Sequence, residues 1–259
     1  MGTLVGITLF ARSVAQAKNA FQRAYARAAE LNRILSDYLP DSELNQLTTS
    51  PRRVSTELYT VLQFSRGLSQ ATEGAFDVTI GPLTKLWRQR APVTPEAMAL
   101  VNWREVYLEN GFVRLGKPGM QLDLGGIGKG YVADEMIRTL RGVGIAHALV
   151  AASGDIVCSG APPGQKGWRV DSAGGPLTLR NAAVSTSGDT TQFFEKDGRR
   201  YSHILDPRAG RSVSDVVEVS IVAANGMTAD ALATAVRILG KQRSLPILAR
   251  YHAQIAGQR

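Results

Sequence analysis

At 259 residues the chain suits one large domain or two closely packed halves, and 44% hydrophobic with 20% charged residues describes an ordinary globule with a substantial core. The formal net charge of +8, from 30 basic and 22 acidic residues, favours anionic company (a phosphate-bearing ligand, an acidic partner or a lipid surface), but the arginines are scattered, which argues against a nucleic-acid groove. Cys158 is the only cysteine, so internal disulfides and cysteine metal cages are excluded; His147, His203 and His252 lack zinc spacing, and no apolar run reaches the ~18 residues of a membrane span.

Residues 1–10 are apolar without a basic leader or cleavage site, and Thr3, Val5, Ile7 and Leu9 alternate as in a first strand. Residues 15–35 read as a long helix with Phe21, Ala24, Ala28, Leu31 and Leu35 on one face. A polar, proline-punctuated loop over 36–43 precedes a second helix over 56–71, whose core face is Leu58, Val61, Leu62 and Leu68. Residues 73–83 combine a helix-ending Gly74, Phe76 beside Asp77 and a Gly81-Pro82 corner, and by themselves read as a loop packing Phe76 inward. Thr94-Pro95-Glu96 starts a short helix, as an N-cap followed by proline. Residues 106–109 and 112–115 form a hairpin around Asn110-Gly111, which leads through 116–119 into a further strand.

That strand is expected to end at Leu122-Asp123-Leu124-Gly125-Gly126-Ile127-Gly128-Lys129-Gly130, the stretch on which the rest is arranged. Its glycines let a backbone approach a bulky ligand, and where the loop opens a helix the end amides and dipole favour an anion, most often phosphate. A tight strand-to-helix corner is the alternative reading. Two familiar nucleotide loops are excluded: a dinucleotide fingerprint would need glycine at Tyr131, and a Walker A loop would need Ser or Thr at Gly130 and glycine at Asp123.

Beyond the loop, Val132, Met136, Ile137 and Leu140 mark a helix face, and a buried strand over 148–152 breaks at Ser153-Gly154-Asp155. Strands follow at 168–171 and 177–179. The segment from Ala183 to Asp189 sets Ser185, Thr186 and Ser187 in a row, able to donate to phosphate or a ring carbonyl, or to close a turn with local bonds. Residues 201–205 read as a strand carrying His203 into the turn Asp206-Pro207-Arg208-Ala209-Gly210. A helix over 228–239 has Leu232, Val236 and Leu239 as its apolar stripe, with Asp230 and Thr234 one turn apart on the opposite side. That pair is either a first-turn acid with a solvated threonine, or two oxygens for one hard cation such as Mg²⁺. Gly240 stops the helix, and 241–259 reads as a partial helix without a motif. With no repeats or linkers, the chain is taken as one domain over 1–259.

Together Met1-Gly2-Thr3 and the blocks at 36–44, 73–83, 122–134, 185–188, 202–210 and 228–240 resemble, over nearly the whole chain, the FAD:protein FMN transferase family, the ApbE-type flavin transferases. The resemblance implies an α+β fold, ApbE-like (T-fold-like), of mixed, largely antiparallel sheets covered by helices. It implies binding of FAD and Mg²⁺ and transfer of the FMN half to a Thr or Ser hydroxyl of an acceptor protein, typically a subunit of a bacterial redox complex, with release of AMP. Carried onto this sequence, Asp230 and Thr234 correspond to the side-chain ligands of Mg²⁺, with the main-chain carbonyl of Gly128 as a third. Phe76 and Asp77 correspond to flavin and adenosine contacts, and Asp123, Gly125, Gly126 and Lys129 to the pyrophosphate cradle. Ser185, Thr186 and Ser187 supply further ligand contacts. His203 is the candidate for positioning a phosphate or accepting the acceptor's proton, with Asp155 as a reserve base.

The chemistry is consistent: breaking a pyrophosphate needs in-line attack, neutralised phosphoryl charge and removal of a proton from a weak alcohol nucleophile. The alternatives are a Mg²⁺-dependent FAD pyrophosphatase and a flavin-binding protein without turnover. Two departures are expected. Family members are usually exported, often as lipoproteins, and with no leader visible here the chain is either trimmed or a cytoplasmic member. Relatives also commonly continue past the last helix into a closing strand, which the sequence reading finds missing, leaving an open sheet edge.

Overall fold

A computed structural model describes residues 4–188, 193–196, 199–213 and 217–258, so Met1-Gly2-Thr3 and Asp189 lie outside the described residues. Strand β1 (Val5–Phe10) leads to helix α1 (Val14–Leu35), started by Ser13, whose side chain accepts from the Gln16 amide. Helix α1 buries Ala20, Ala24, Leu31 and Leu35, whereas Phe21 is half-buried; the small alanines let α1 lie close to its neighbour. After β2 (Arg52–Arg53), helix α2 (Thr56–Ala71) begins at the cap Ser55 and ends where Gly74 takes φ +80. Gly81-Pro82 does not make a corner. It opens α3 (Gly81–Arg88), since the proline's missing N–H is one a first helical turn cannot use. A Cβ on Gly81 would lie 2.6 Å from the Gln121 carbonyl, so this helix start needs glycine.

Helix α4 (Pro95–Met98) is capped by Thr94, and the hairpin β3 (Val106–Glu109) with β4 (Phe112–Leu115) turns at Asn110 and Gly111, both at positive φ. The strand expected next does not form. Asp123 N donates to Val78 O at 2.8 Å, but no ladder is built among the described residues, and Leu122 and Leu124 are buried as irregular backbone.

Helix α5 (Gly128–Gly142) then precedes β5 (His147–Ala152), β6 (Asp155–Ser159), the hairpin β7 (Trp168–Ser172) and β8 (Gly175–Leu179), and β9 (Ala182–Ser187). The run of hydroxyls is thus a strand rather than a turn, because β6 on one side and the next long strand on the other satisfy its backbone. The short strands β10 (Phe193–Lys196), β11 (Arg199–Ser202), β12 (Leu205–Asp206) and β13 (Arg211–Ser212) pair as two ribbons. His203 falls in the bend between β11 and β12 rather than on a strand, where the Ser202 hydroxyl accepts from the Ile204 amide at 3.0 Å. The chain closes with β14 (Val219–Ala223), α6 (Gly226–Leu239), α7 (Lys241–Arg250) and β15 (Gln254–Gln258).

One six-stranded sheet, ordered β1-β5-β6-β9-β14-β15 and antiparallel throughout, organises these pieces. Side chains alternate across it: Val150, Val157, Ala183 and Ile221 join the helical core beneath α1, α5 and α6, while Cys158 and Val184 meet Trp168, Val170 and Leu179 of the β7–β8 hairpin on the other face. The fold is α+β, as expected. The closing edge strand read as missing is present: β15 pairs with β14. Among the described residues no helix is long and apolar enough to cross a membrane.

Candidate active site

The site begins where α5 and α6 cross. A Cβ on Gly130 would stand 2.1 Å from the Gly226 carbonyl, and one on Gly226 would stand 2.5 Å from the Gly130 carbonyl, so only glycine permits this approach. Asp134, one turn along α5, fixes the crossing: its two oxygens accept from the Gly226 and Met227 amides at 2.7 and 2.8 Å, capping α6 together with Asn225. The crossing sets Asp230 over the first turn of α5, where Oδ2 accepts from the Gly130 amide at 3.0 Å. The solvated reading of this face is therefore wrong: Asp230 is 3% exposed, and Thr234 is half-buried against the glycine loop. Gly126 is the loop residue beside Thr234, whose hydroxyl would lie 2.9 Å from a Cβ there; Gly128 opens α5 and donates its amide to Leu124 O at 2.7 Å.

Lys129 gathers the acids. Its Nζ donates to Gly125 O at 2.7 Å and stands 3.3 Å from Asp230 Oδ1 and 3.4 Å from Asp155 Oδ2. Burial alone would lower the Lys129 ammonium, but the Asp155 and Asp230 carboxylates outweigh it and hold the group above the ordinary lysine range. Burial, with Asp155 close by, pushes the Asp230 carboxyl up to about 7 against the pull of Lys129 and the Gly130 amide. Asp155 opens β6, and its Oδ1 accepts a short hydrogen bond from the Ser185 hydroxyl across to β9. Thr186 points its hydroxyl to Ser220 instead, at 2.7 Å.

The opposite wall is built by the segment 73–88. Asp77 ties this wall together: Oδ1 accepts from the Thr79 amide and hydroxyl at 2.8 and 2.7 Å, and Oδ2 from the Trp103 amide at 3.0 Å. Asp123 likewise accepts from the Gly125 amide at 2.7 Å and from Arg88 at 2.9 Å. Arg88 also reaches Asp37 at 2.6 Å and lies 4.2 Å over the Tyr38 ring. Burial and the neighbouring Asp123 raise the Asp37 carboxyl despite that contact. The rings of Trp87 and His203 meet edge to face at 6.4 Å between centroids.

Between these two walls lies one cleft of roughly 330 Å³. Phe76, Asp77, Asp123, Gly125, Gly126, Gly128, Lys129, Asp155, Ser185, Thr186, Ser187, His203, Asp230 and Thr234 line it together, so every candidate from the sequence is brought to one place. Asp37, Tyr38, Trp87 and Arg88 line it too, and were not singled out. Asp37 and Tyr38 sit inside a block that carried the resemblance; Arg88 had no signal, because its partners are remote in sequence.

Residues 1–257 match the ApbE family. The chain belongs to the ApbE family. It is 34% identical to an FAD:protein FMN transferase of Vibrio cholerae over 84% of this chain and 72% of that protein, and 32% identical to one of Treponema pallidum over 97% and 80%. Among solved structures, the flavin transferase ApbE of Vibrio cholerae superposes with a TM-score of 0.87 at 30% identity, covering 98% of this chain and 89% of that one. The ApbE protein of Thermotoga maritima gives 0.86 at 28%, covering 98% and 91%.

Proposed function

We propose that this ApbE-family chain moves the FMN half of FAD onto a threonine or serine hydroxyl of an acceptor protein, releasing AMP, with Mg²⁺ bound in the cleft. FAD:protein FMN transfer is what the relatives are named for. The observation that carries it to this chain is the cluster of Lys129, Asp155 and Asp230 at the start of α5, in the same cleft as Phe76 and His203.

The residues present suit a divalent ion. Among the described residues five aspartates line the cleft against one arginine and one lysine, and a diphosphate adds further negative charge that a counter-ion would offset. The donors beside the loop are hard oxygens: the Asp230 carboxylate, the Thr234 hydroxyl, a main-chain carbonyl of Gly126 or Gly128, and Asp155 Oδ2, which is buried 3.4 Å from the Lys129 ammonium. When bound, Mg²⁺ neutralises phosphate charge in the transition state and helps the AMP oxygen leave.

The chain's own groups supply the rest. Phe76 gives the flavin an apolar wall, and the start of α5 turns its positive dipole end toward the diphosphate. Lys129 adds a charge that partners the phosphates. The acceptor oxygen attacks the FMN-side phosphorus while the bond to the AMP oxygen breaks, and His203 receives the hydroxyl proton, with Asp155 in reserve.

The test is a denaturing gel under ultraviolet light. A fluorescent acceptor band should require FAD, Mg²⁺ and the acceptor hydroxyl, and Asp230→Ala should cost at least about 100-fold in its rate, beyond what losing an outer-shell metal partner costs. AMP release that proceeds equally without acceptor would instead make the chain a pyrophosphatase.

A further inference from the structure

Arg88 sits at the head of a chain of contacts that runs along the cleft. Its Nη1 meets Asp37 Oδ2 at 2.6 Å and its Nη2 meets Asp123 Oδ2 at 2.9 Å, while the guanidinium plane lies over Tyr38. Asp123 Oδ1 accepts from the Gly125 amide, and the Gly125 carbonyl accepts from Lys129, which carries the contact on to Asp155 and Asp230. The Asp123 side chain is 8% exposed and that of Asp37 12%, so water relieves neither charge fully. Arginine suits this position because one rigid fork serves two carboxylates and still stacks on a ring, which lysine cannot do.

We infer that Arg88 is a positioning residue for the dinucleotide: it neutralises Asp37 and Asp123 and, through Asp123, holds the Gly125-Gly126 turn in the shape that accepts a diphosphate. Without it, the buried Asp123 and the half-buried Asp37 face an anionic ligand uncompensated, and the carboxylate that receives the Gly125 amide loses the arginine that steadies it. This rests on the FAD reading above, and concerns a residue that the reaction itself does not use.

The experiment measures FAD affinity separately from transfer, in the intact protein with Mg²⁺, by flavin fluorescence or calorimetry. Arg88→Met should weaken FAD binding at least about tenfold, with the turnover rate at saturating FAD falling far less. A further readout separates positioning from plain stabilisation. Adding Asp123→Asn, which removes the charge but keeps an oxygen for the Gly125 amide, should restore much of the loss. Arg88→Lys should fall between wild type and Arg88→Met, and serves as the binding test if the methionine variant does not fold. Wild-type affinity in Arg88→Met, or a double variant no better than the single one, overturns the inference. If the wild-type protein itself does not bind FAD, the functional reading fails instead.

Discussion

At the scale of single residues, Asp230 carries the clearest expectation. Its carboxyl is raised to about 7, whereas an unfolded aspartate titrates near about 4. The ligand-free folded state therefore holds this proton more tightly than the unfolded chain, and by linkage its contribution to stability is fully present below about pH 4 and lost as pH rises through about 7. Between pH 5 and 8 the melting temperature of the ligand-free wild type should fall more than that of Asp230→Asn, which cannot ionise; parallel profiles would show that another group governs the window. The spacing of Asp230 and Thr234 placed them on one helix face, but not that this face is turned inward against the glycine loop. The bonds that Asp77 makes were not legible, because its oxygens accept from the Thr79 and Trp103 amides, one of them 26 positions away. Arg88 was not legible at all: its meaning comes from Asp37 and Asp123, which no periodicity connects to it.

At the scale of elements, the long helices and the Asn110-Gly111 hairpin could be placed from sequence because caps, periodicity and turn chemistry are local signals. The misreadings have the opposite cause. Residues 120–124 alternate like a strand but join no ladder among the described residues, and the hydroxyl run at 185–187 looks like a turn until two neighbouring strands satisfy its backbone. The element contact that matters most is the α5–α6 crossing. Gly130→Ala would drive a methyl into the Gly226 carbonyl and should cost about 1–3 kcal/mol in urea unfolding, as overpacking does. Gly142→Ala, in the same helix with nothing within 4 Å of its Cβ, should stay within about 1 kcal/mol of wild type and fall on the stabilising side. Equal effects at the two positions would show that the crossing is looser than its geometry indicates.

At the scale of the molecule, the sheet ends on β15, which covers β14 and so keeps a long buried strand from becoming an edge. Removing residues 253–259 should expose that ladder, and concentration-dependent self-association on size exclusion is the expected result; a monomer of unchanged melting temperature would refute it. The layering was readable only through resemblance, because strand order depends on pairings such as β1 with β5 that lie more than a hundred residues apart in sequence.

The lysine that meets Asp230 does so across 101 positions of chain. A copy interrupted before residue 226 carries the glycine bend, the clamp around Asp123 and the aromatic wall, yet has neither the acid nor the threonine of α6. Unfinished or clipped molecules therefore lack the carboxylate that receives the Gly130 amide and Lys129, and with it the tie between α6 and the start of α5.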